Sequence, residues 1–297
     1  MIALGGGSAI DASKAIAILA TNPGEITAYE GRDITIPHQR VTLIAIPTTA
    51  GTGSEVTRAA VITVTNRNVK MVIKDEMIRP DMAVCDPLLT LSMPPSVTVA
   101  TGMDALAHAI EGSVSRETQP MSEIFALAAI KLIAQNLPRA LANGQDLPAR
   151  SDMMLAALLA GYAFGISSTC SGHGLARPFG AHFHVPHGLC NAFFLPYFME
   201  FTIPACPEKF AKIAEAMGED ISRMTVSEAA MQAVSSVRRL QKMANVPTLL
   251  EYGVDLHEYR KLIPQMIRDG VASGSHRLNP RVPTEQELYK LYESLLN

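Results

Sequence analysis

Strand-forming patterns in this chain stop before residue 90, and nearly everything beyond Met93-Pro94-Pro95 reads as helix. Ile2-Ala3-Leu4 and Val41 to Ile46 are short apolar runs of the kind buried in a parallel sheet. Ala59 to Thr65 and Lys70 to Ile73 read as a strand pair around the turn Asn66-Arg67-Asn68. Ala83-Val84-Cys85 is a last short strand, ended by Asp86-Pro87. Helical spacing then covers 96–112, 120–142, 149–166, a segment near 189–202, 207–217, 225–243, 257–269 and 284–296. The last of these opens on a capping box, Thr284-x-x-Glu287. The pattern predicts an α/β domain over residues 1–90 and an all-helical domain over 91–297. The helix at 149–166, apolar almost all round, is expected at the centre of the second domain.

The 297 residues are enough for a full core and two domains. With 48% hydrophobic and 18% charged residues the chain is globular rather than disordered. A net charge of −3 without a basic tract speaks against nucleic acid. Cys85, Cys170, Cys190 and Cys206 are scattered, so neither a disulfide framework nor a zinc knuckle is suggested. Met1-Ile2-Ala3-Leu4 runs into glycines with no basic stretch, and no signal peptide is expected. The apolar run from Met153 to Ile166 is too short to span a bilayer. A reducing cytoplasm is the expected home, with no membrane partner.

Three stretches carry chemistry. Gly5-Gly6-Gly7-Ser8 lies between a strand and a helix over Asp11 to Leu19, where backbone N–H groups and the helix dipole hold phosphate. An ordinary tight turn has the same sequence, and the run is not the G-x-G-x-x-G fingerprint. Pro47-Thr48-Thr49-Ala50-Gly51-Thr52-Gly53-Ser54-Glu55 follows the second strand, at the sheet edge where open α/β folds bind ligands. It suits close approach to a nucleotide, or a loop that caps its own backbone. In Gly102-Met103-Asp104-Ala105-Leu106-Ala107-His108-Ala109-Ile110-Glu111, Asp104 and His108 are four residues apart and share a helix face. Ser171-Gly172-His173 and Val185-Pro186-His187-Gly188 offer two more imidazoles. One carboxylate and three imidazoles suit Fe²⁺, Zn²⁺ or Mn²⁺ and suit Ca²⁺ or Cu⁺ poorly. Taken alone, Asp104 and His108 read equally well as a solvated aspartate and a structural histidine.

These motifs, together with Asn279-Pro280-Arg281, resemble the iron-containing (group III) alcohol dehydrogenase family along the whole chain. The resemblance implies an α/β nucleotide-binding N-terminal domain followed by an all-α C-terminal domain, a dehydroquinate synthase-like fold with metal and nicotinamide in the cleft. Carried over motif by motif, it implies metal ligands Asp104, His108, His173 and His187. It implies cofactor contacts at Gly6, Gly7, Ser8, Asp11, Thr48, Thr49, Thr52 and Lys70, and at Val61. Fe²⁺ is the implied metal, with Zn²⁺ or Mn²⁺ as substitutes, and NAD the implied coenzyme, with NADP open. A small alcohol or aldehyde is the implied substrate, and a homodimer or larger homo-oligomer the implied assembly. Related glycerol dehydrogenases and dehydroquinate synthases have fewer histidine ligands, and the Asp104–His108 pair favours the alcohol dehydrogenase branch over a lyase.

The chain departs from the family pattern twice. Arg177 stands where the family usually has a second histidine, four residues after the ligand, that is a candidate proton relay. Arginine does not titrate near neutrality and is a poor shuttle. It is expected to bind an anionic substrate group (carboxylate, phosphonate or sulfonate), or else to pair with a local acid. His182 and His184 are the nearby alternatives as relays. The second departure is that Met1 falls almost on the first strand, where the family has a further α/β segment. An exposed apolar sheet edge and weak dinucleotide binding are therefore expected. The competing function is a catalytically weak or inactive metal-binding homologue that acts through assembly.

Overall fold

The structure, a computed structural model, describes residues 1–32, 35–65 and 69–296. Its elements run β1 (Ile2–Gly5), α1 (Gly7–Leu19), β2 (Gly31–Arg32), β3 (Ile44–Pro47), β4 (Ala59–Val64), β5 (Val69–Lys74) and β6 (Met82–Ala83). The helices then follow: α2 (Pro95–Val114), α3 (Pro120–Ala142), α4 (Leu147–Ile166), α5 (Ser171–Phe183), α6 (His187–Thr202), α7 (Pro207–Ala216), α8 (Val226–Met243), α9 (Leu249–Tyr252), α10 (Leu256–Ala272) and α11 (Glu285–Glu293). The turn expected at Asn66-Arg67-Asn68 lies outside the described residues. Among the described residues, strands end at Ala83 and long helices begin at Pro95.

One sheet is all parallel in the order β1-β3-β6, with Ile2 opposite Ile44 and Gly5 opposite Pro47. A second has the order β2-β5-β4, in which β4 and β5 pair antiparallel from Ala59–Lys74 to Val64–Val69. α1 joins the two sheets. Its Ile10 is buried in a cluster with Ala3, Leu43 and Ala45 on the first, and Ile18 in one with Ala60, Met71 and Ile73 on the second. Lys14, between them, has no solvent exposure. Its Nζ donates to Ala59 O at 2.7 Å and Thr57 O at 3.1 Å, which satisfies the charge while burial lowers its pKa to about 8. β1 ends the parallel sheet, and Ile2 and Leu4 on it are exposed.

The helical part is built around α2, which is buried without interruption from Gly102 to Val114 and packs on α3, α4, α6 and α7. The sequence pattern centres α4 there instead. Its inner face is a run of small residues, Ala149, Ala156, Ala157, Ala160 and Ala163, while Leu155, Tyr162 and Ile166 remain exposed on the opposite stripe. Apolar composition all round does not by itself centre a helix; small residues that let backbones approach decide which face packs. α3 is long and apolar enough to cross a membrane by length and composition. Here its Ala126, Ala129, Ile130, Ile133, Leu137 and Ala140 are buried in the bundle against α2 and α4. β6 is shorter than its sequence suggested, and α5 was not expected at all.

Candidate metal centre and its cleft

α2 carries Asp104, His108 and Glu111 along one buried stripe. α5 brings His173 to that stripe in its first turn, and α6 brings His187 as its first residue. Ligand atoms of Asp104, His108 and His173 all lie within 4.8 Å of one another. His187 Nε2 is 3.9 Å from Asp104 Oδ1, as is His173 Nε2. His187 is outside the tightest group of three and keeps 34% of its side-chain surface in solvent, against 4% for Asp104. His108 is stacked between Phe164 at 4.2 Å and His173 at 4.6 Å.

Gly188 makes the approach of α6 possible. A Cβ added there would sit 1.9 Å from Ala100 O and 2.9 Å from Asp104 Cβ, so only glycine lets α6 touch the α2 backbone. Glu111 performs the same task for α5. Its carboxylate accepts from the Cys170 and His173 backbone amides, the open N-terminal donors of a helix whose own first residues supply no side-chain cap. Glu111 Oε1 also lies 2.7 Å from His173 Nδ1. Asn279, from the Asn-Pro-Arg motif, supports the same turn, its Oδ1 accepting from Ser171 N and its amide donating to Thr202 Oγ1.

These contacts fix the tautomer. His173 Nδ1 donates its ring proton to Glu111, so Nε2 is the accepting nitrogen, and Asn191 Nδ2 lies 3.0 Å from it. Burial raises the Glu111 carboxyl to about 7 despite its amide donors. Burial, with His108 and Arg177 nearby, holds His173 well below the usual imidazole range, and burial pushes His187 the same way. Burial alone would raise Asp104, but the three imidazoles and the Asn191 amide outweigh it and hold its carboxyl low. The centre therefore has more lone pairs than protons, and His108 Nδ1 is buried without a hydrogen-bond partner among the described residues. A buried excess of O and N lone pairs is what a borderline divalent ion such as Fe²⁺ neutralises, so the residues fit one. Glu111→Gln is expected to weaken metal binding by about 10–100-fold, because an amide cannot accept from all three N–H groups at once. Calorimetric titration of the folded variant checks this; an unchanged affinity would mean that His173 does not need its partner.

The expected nucleotide residues fall into two groups. α1 begins at Gly7 with Gly6 as its cap, and this turn packs on the Thr48–Thr52 loop: a Cβ on Gly6 would lie 3.3 Å from Thr49 Oγ1, and one on Gly7 2.7 Å from Thr52 Cγ2. Ser8 is exposed on the same turn. Asp11 is engaged within the protein, accepting from Ser54 Oγ and, at 2.9 Å, from Val61 N. Lys70 instead lines a cavity of about 670 Å³ between the strands and the helices, together with Phe164, Thr169, Arg177, His182 and Ser275. Through Phe164 this cavity adjoins the stacked His108. Arg177 Nη1 donates to Ser275 Oγ at 3.3 Å and Nη2 to Thr169 Oγ1 at 3.4 Å. His182 Nε2 is 3.4 Å from Asp269 Oδ2, while His184 ends α5 in the left-handed conformation. Sequence reading gave no role to Glu111 or Asn191. Both carried a usable signal, since Glu111 is one turn beyond His108 and Asn191 one turn beyond His187.

Solved structures place this fold in a class. A crystal structure of 1,3-propanediol oxidoreductase matches with a TM-score of 0.94 at 38% identity, covering 99% of this chain and 76% of that one. Sulfoacetaldehyde reductase from Bifidobacterium kashiwanohense, solved in complex with NAD⁺, matches with a TM-score of 0.86 at 32% identity, covering 99% and 75%. The NAD-dependent methanol dehydrogenase of Bacillus methanolicus is 39% identical over 297 residues, all of this chain and 77% of that protein. The class is that of metal-dependent alcohol dehydrogenases. The family model for iron-containing alcohol dehydrogenase matches residues 1–87, and that for the C-terminal part of the Fe-containing alcohol dehydrogenase family matches residues 98–296. The chain belongs to the iron-containing alcohol dehydrogenase family and is an oxidoreductase acting on alcohols.

Proposed function

We propose that the chain interconverts a small alcohol and its aldehyde with a nicotinamide coenzyme, NAD or NADP, at an Fe²⁺ ion held by Asp104, His108, His173 and His187. The observation that supports this most is the convergence of three donor groups within 4.8 Å and of a fourth 3.9 Å from Asp104. Bound there, the ion supplies Lewis acidity that lowers the pKa of the alcohol. The chain's own residues do the rest. Phe164 walls the donors on the cavity side, and the Gly6–Gly7 turn with Thr48, Thr49 and Thr52 offers amides and hydroxyls to a pyrophosphate. Residues 1–90 and 91–297 then act as two domains, with the 670 Å³ cavity between strands and helices as the cleft for the substrate.

The finer proposal concerns Arg177. Placed in the lining of the cavity that Lys70 also lines, its guanidinium recognises an anionic group on the far end of the substrate. The sulfonate-bearing substrate in the name of one related reductase is consistent with this. The test compares 2-hydroxyethanesulfonate with 1-propanol in steady state, with Fe²⁺ and each coenzyme. Arg177→Met is expected to lower kcat/KM for the sulfonate by about 10–100-fold, as loss of a charged hydrogen bond implies, and to leave 1-propanol little changed. A wild-type preference for the neutral alcohol would rule the anion out; no oxidation of either, with Fe²⁺ present, would count against the dehydrogenase reading of the cleft.

A further inference from the structure

We propose that Asn191 is a positioning residue whose amide holds the donor groups together in the metal-free protein and competes with the metal for their lone pairs. The inference rests on the ligand assignment above and adds to it a residue of another type. Asn191 is buried on α6, one turn beyond His187. Its Nδ2 lies 2.7 Å from Asp104 Oδ1, 3.0 Å from His173 Nε2 and 3.3 Å from His187 Nε2. These neighbours fix the orientation of the amide. Rotated by half a turn, it would set its carbonyl oxygen against a carboxylate oxygen and two imidazole lone pairs. In the orientation adopted, Oδ1 is buried and has no partner among the described residues.

A buried amide that leaves its carbonyl unpaired is disfavoured unless its N–H groups gain more than the carbonyl loses. Here they face three acceptors, one more than the two hydrogens available. The amide is thus the positive end of a dipole placed where acceptors converge, and it offsets the repulsion among them. A divalent ion needs the same three lone pairs. Asn191 therefore stabilises the metal-free protein more than the metal-loaded one, and it tempers affinity instead of adding to it. Such a residue keeps the donors in place for loading and leaves the ion exchangeable.

The test uses the whole chain, stripped with chelator and titrated with Co²⁺, whose absorption reports coordination independently of turnover. Asn191→Ala is expected to lower the unfolding temperature of the metal-free protein by about 2–4 °C. It should also raise Co²⁺ affinity about tenfold, the scale of one charge-assisted hydrogen bond. Asn191→Asp, which sets a second carboxylate against Asp104, should lower the metal-free unfolding temperature further and gain more from Co²⁺ than wild type does. An alanine variant that binds Co²⁺ no more tightly than wild type would overturn the proposal and leave Asn191 a structural support. Equal Co²⁺ binding by wild type and His173→Ala would instead overturn the ligand assignment and the competition with it. A fall in metal-free stability of Asn191→Ala would then still report the amide's hold on the donors.

Discussion

Exchanging Asp104 for asparagine is expected to lower divalent-metal affinity by about a thousandfold and to bring alcohol oxidation to background, while the metal-free protein unfolds at only a slightly lower temperature. The two side chains have the same shape, and an asparagine Oδ1 still accepts from Asn191, so little packing is lost. What disappears is the carboxylate charge beside the imidazoles of His108, His173 and His187. Breaking a buried charge pair costs about 3–5 kcal/mol, which at roughly 1.4 kcal/mol per factor of ten is two to four orders of magnitude in binding. In the metal-free protein the imidazoles and the Asn191 amide more than offset the desolvation of the carboxylate, so its removal costs a little stability. A large loss of binding beside a small loss of stability distinguishes a ligand from a structural aspartate. Titration with Fe²⁺ under anaerobic conditions, paired with thermal unfolding, reads both. A variant that loses stability while binding metal as before would make Asp104 structural.

The second large effect is at Gly188. Gly188→Ala places a methyl group 1.9 Å from Ala100 O, a backbone atom of α2 that cannot swing aside. The helices must separate, and overpacking of this kind costs about 1–3 kcal/mol or more. With a few degrees per kcal/mol for a chain of this size, a fall of roughly 5–10 °C in unfolding temperature is expected. His187 and Asn191 ride on α6, so metal binding should weaken in the same variant. Gly165→Ala is the contrast, since the nearest atom to its added Cβ is Thr57 Cγ2 at 3.8 Å. Alanine there should leave stability unchanged or raised, as expected of a helix position. Similar unfolding temperatures for the two variants would show that α6 does not depend on this contact.

How much of this was visible in the chain depended on how far apart the partners lie. Asp104 and His108 sit on one helix face, so their spacing was legible, but it told a ligand pair from a solvated aspartate and a structural histidine only together with His173 and His187. The helix α5 was invisible for the opposite reason. Gly172, Gly174, Pro178 and Gly180 argue against helix locally, and the carboxylate that caps its first turn belongs to Glu111, about sixty residues upstream. Tertiary contact overrode propensity there. The same distance hid Asn191, whose strongest partner is Asp104 on another helix. The order of strands and helices was legible from hydrophobic period, whereas the central place of α2 over α4 was not. That choice was made by which faces pack closely, and the apolar character of a helix averaged over its whole length does not report it. Arg177 stood out only as a departure from a family pattern, and its place in the cavity wall came from the fold.

The most direct measurement is anomalous diffraction at the iron absorption edge from crystals of the Fe²⁺-loaded protein. A single peak within about 2.0–2.3 Å of Asp104, His108, His173 and His187 is the predicted result. A peak elsewhere, or one bonded to fewer than three of these four side chains, would contradict the metal centre described here.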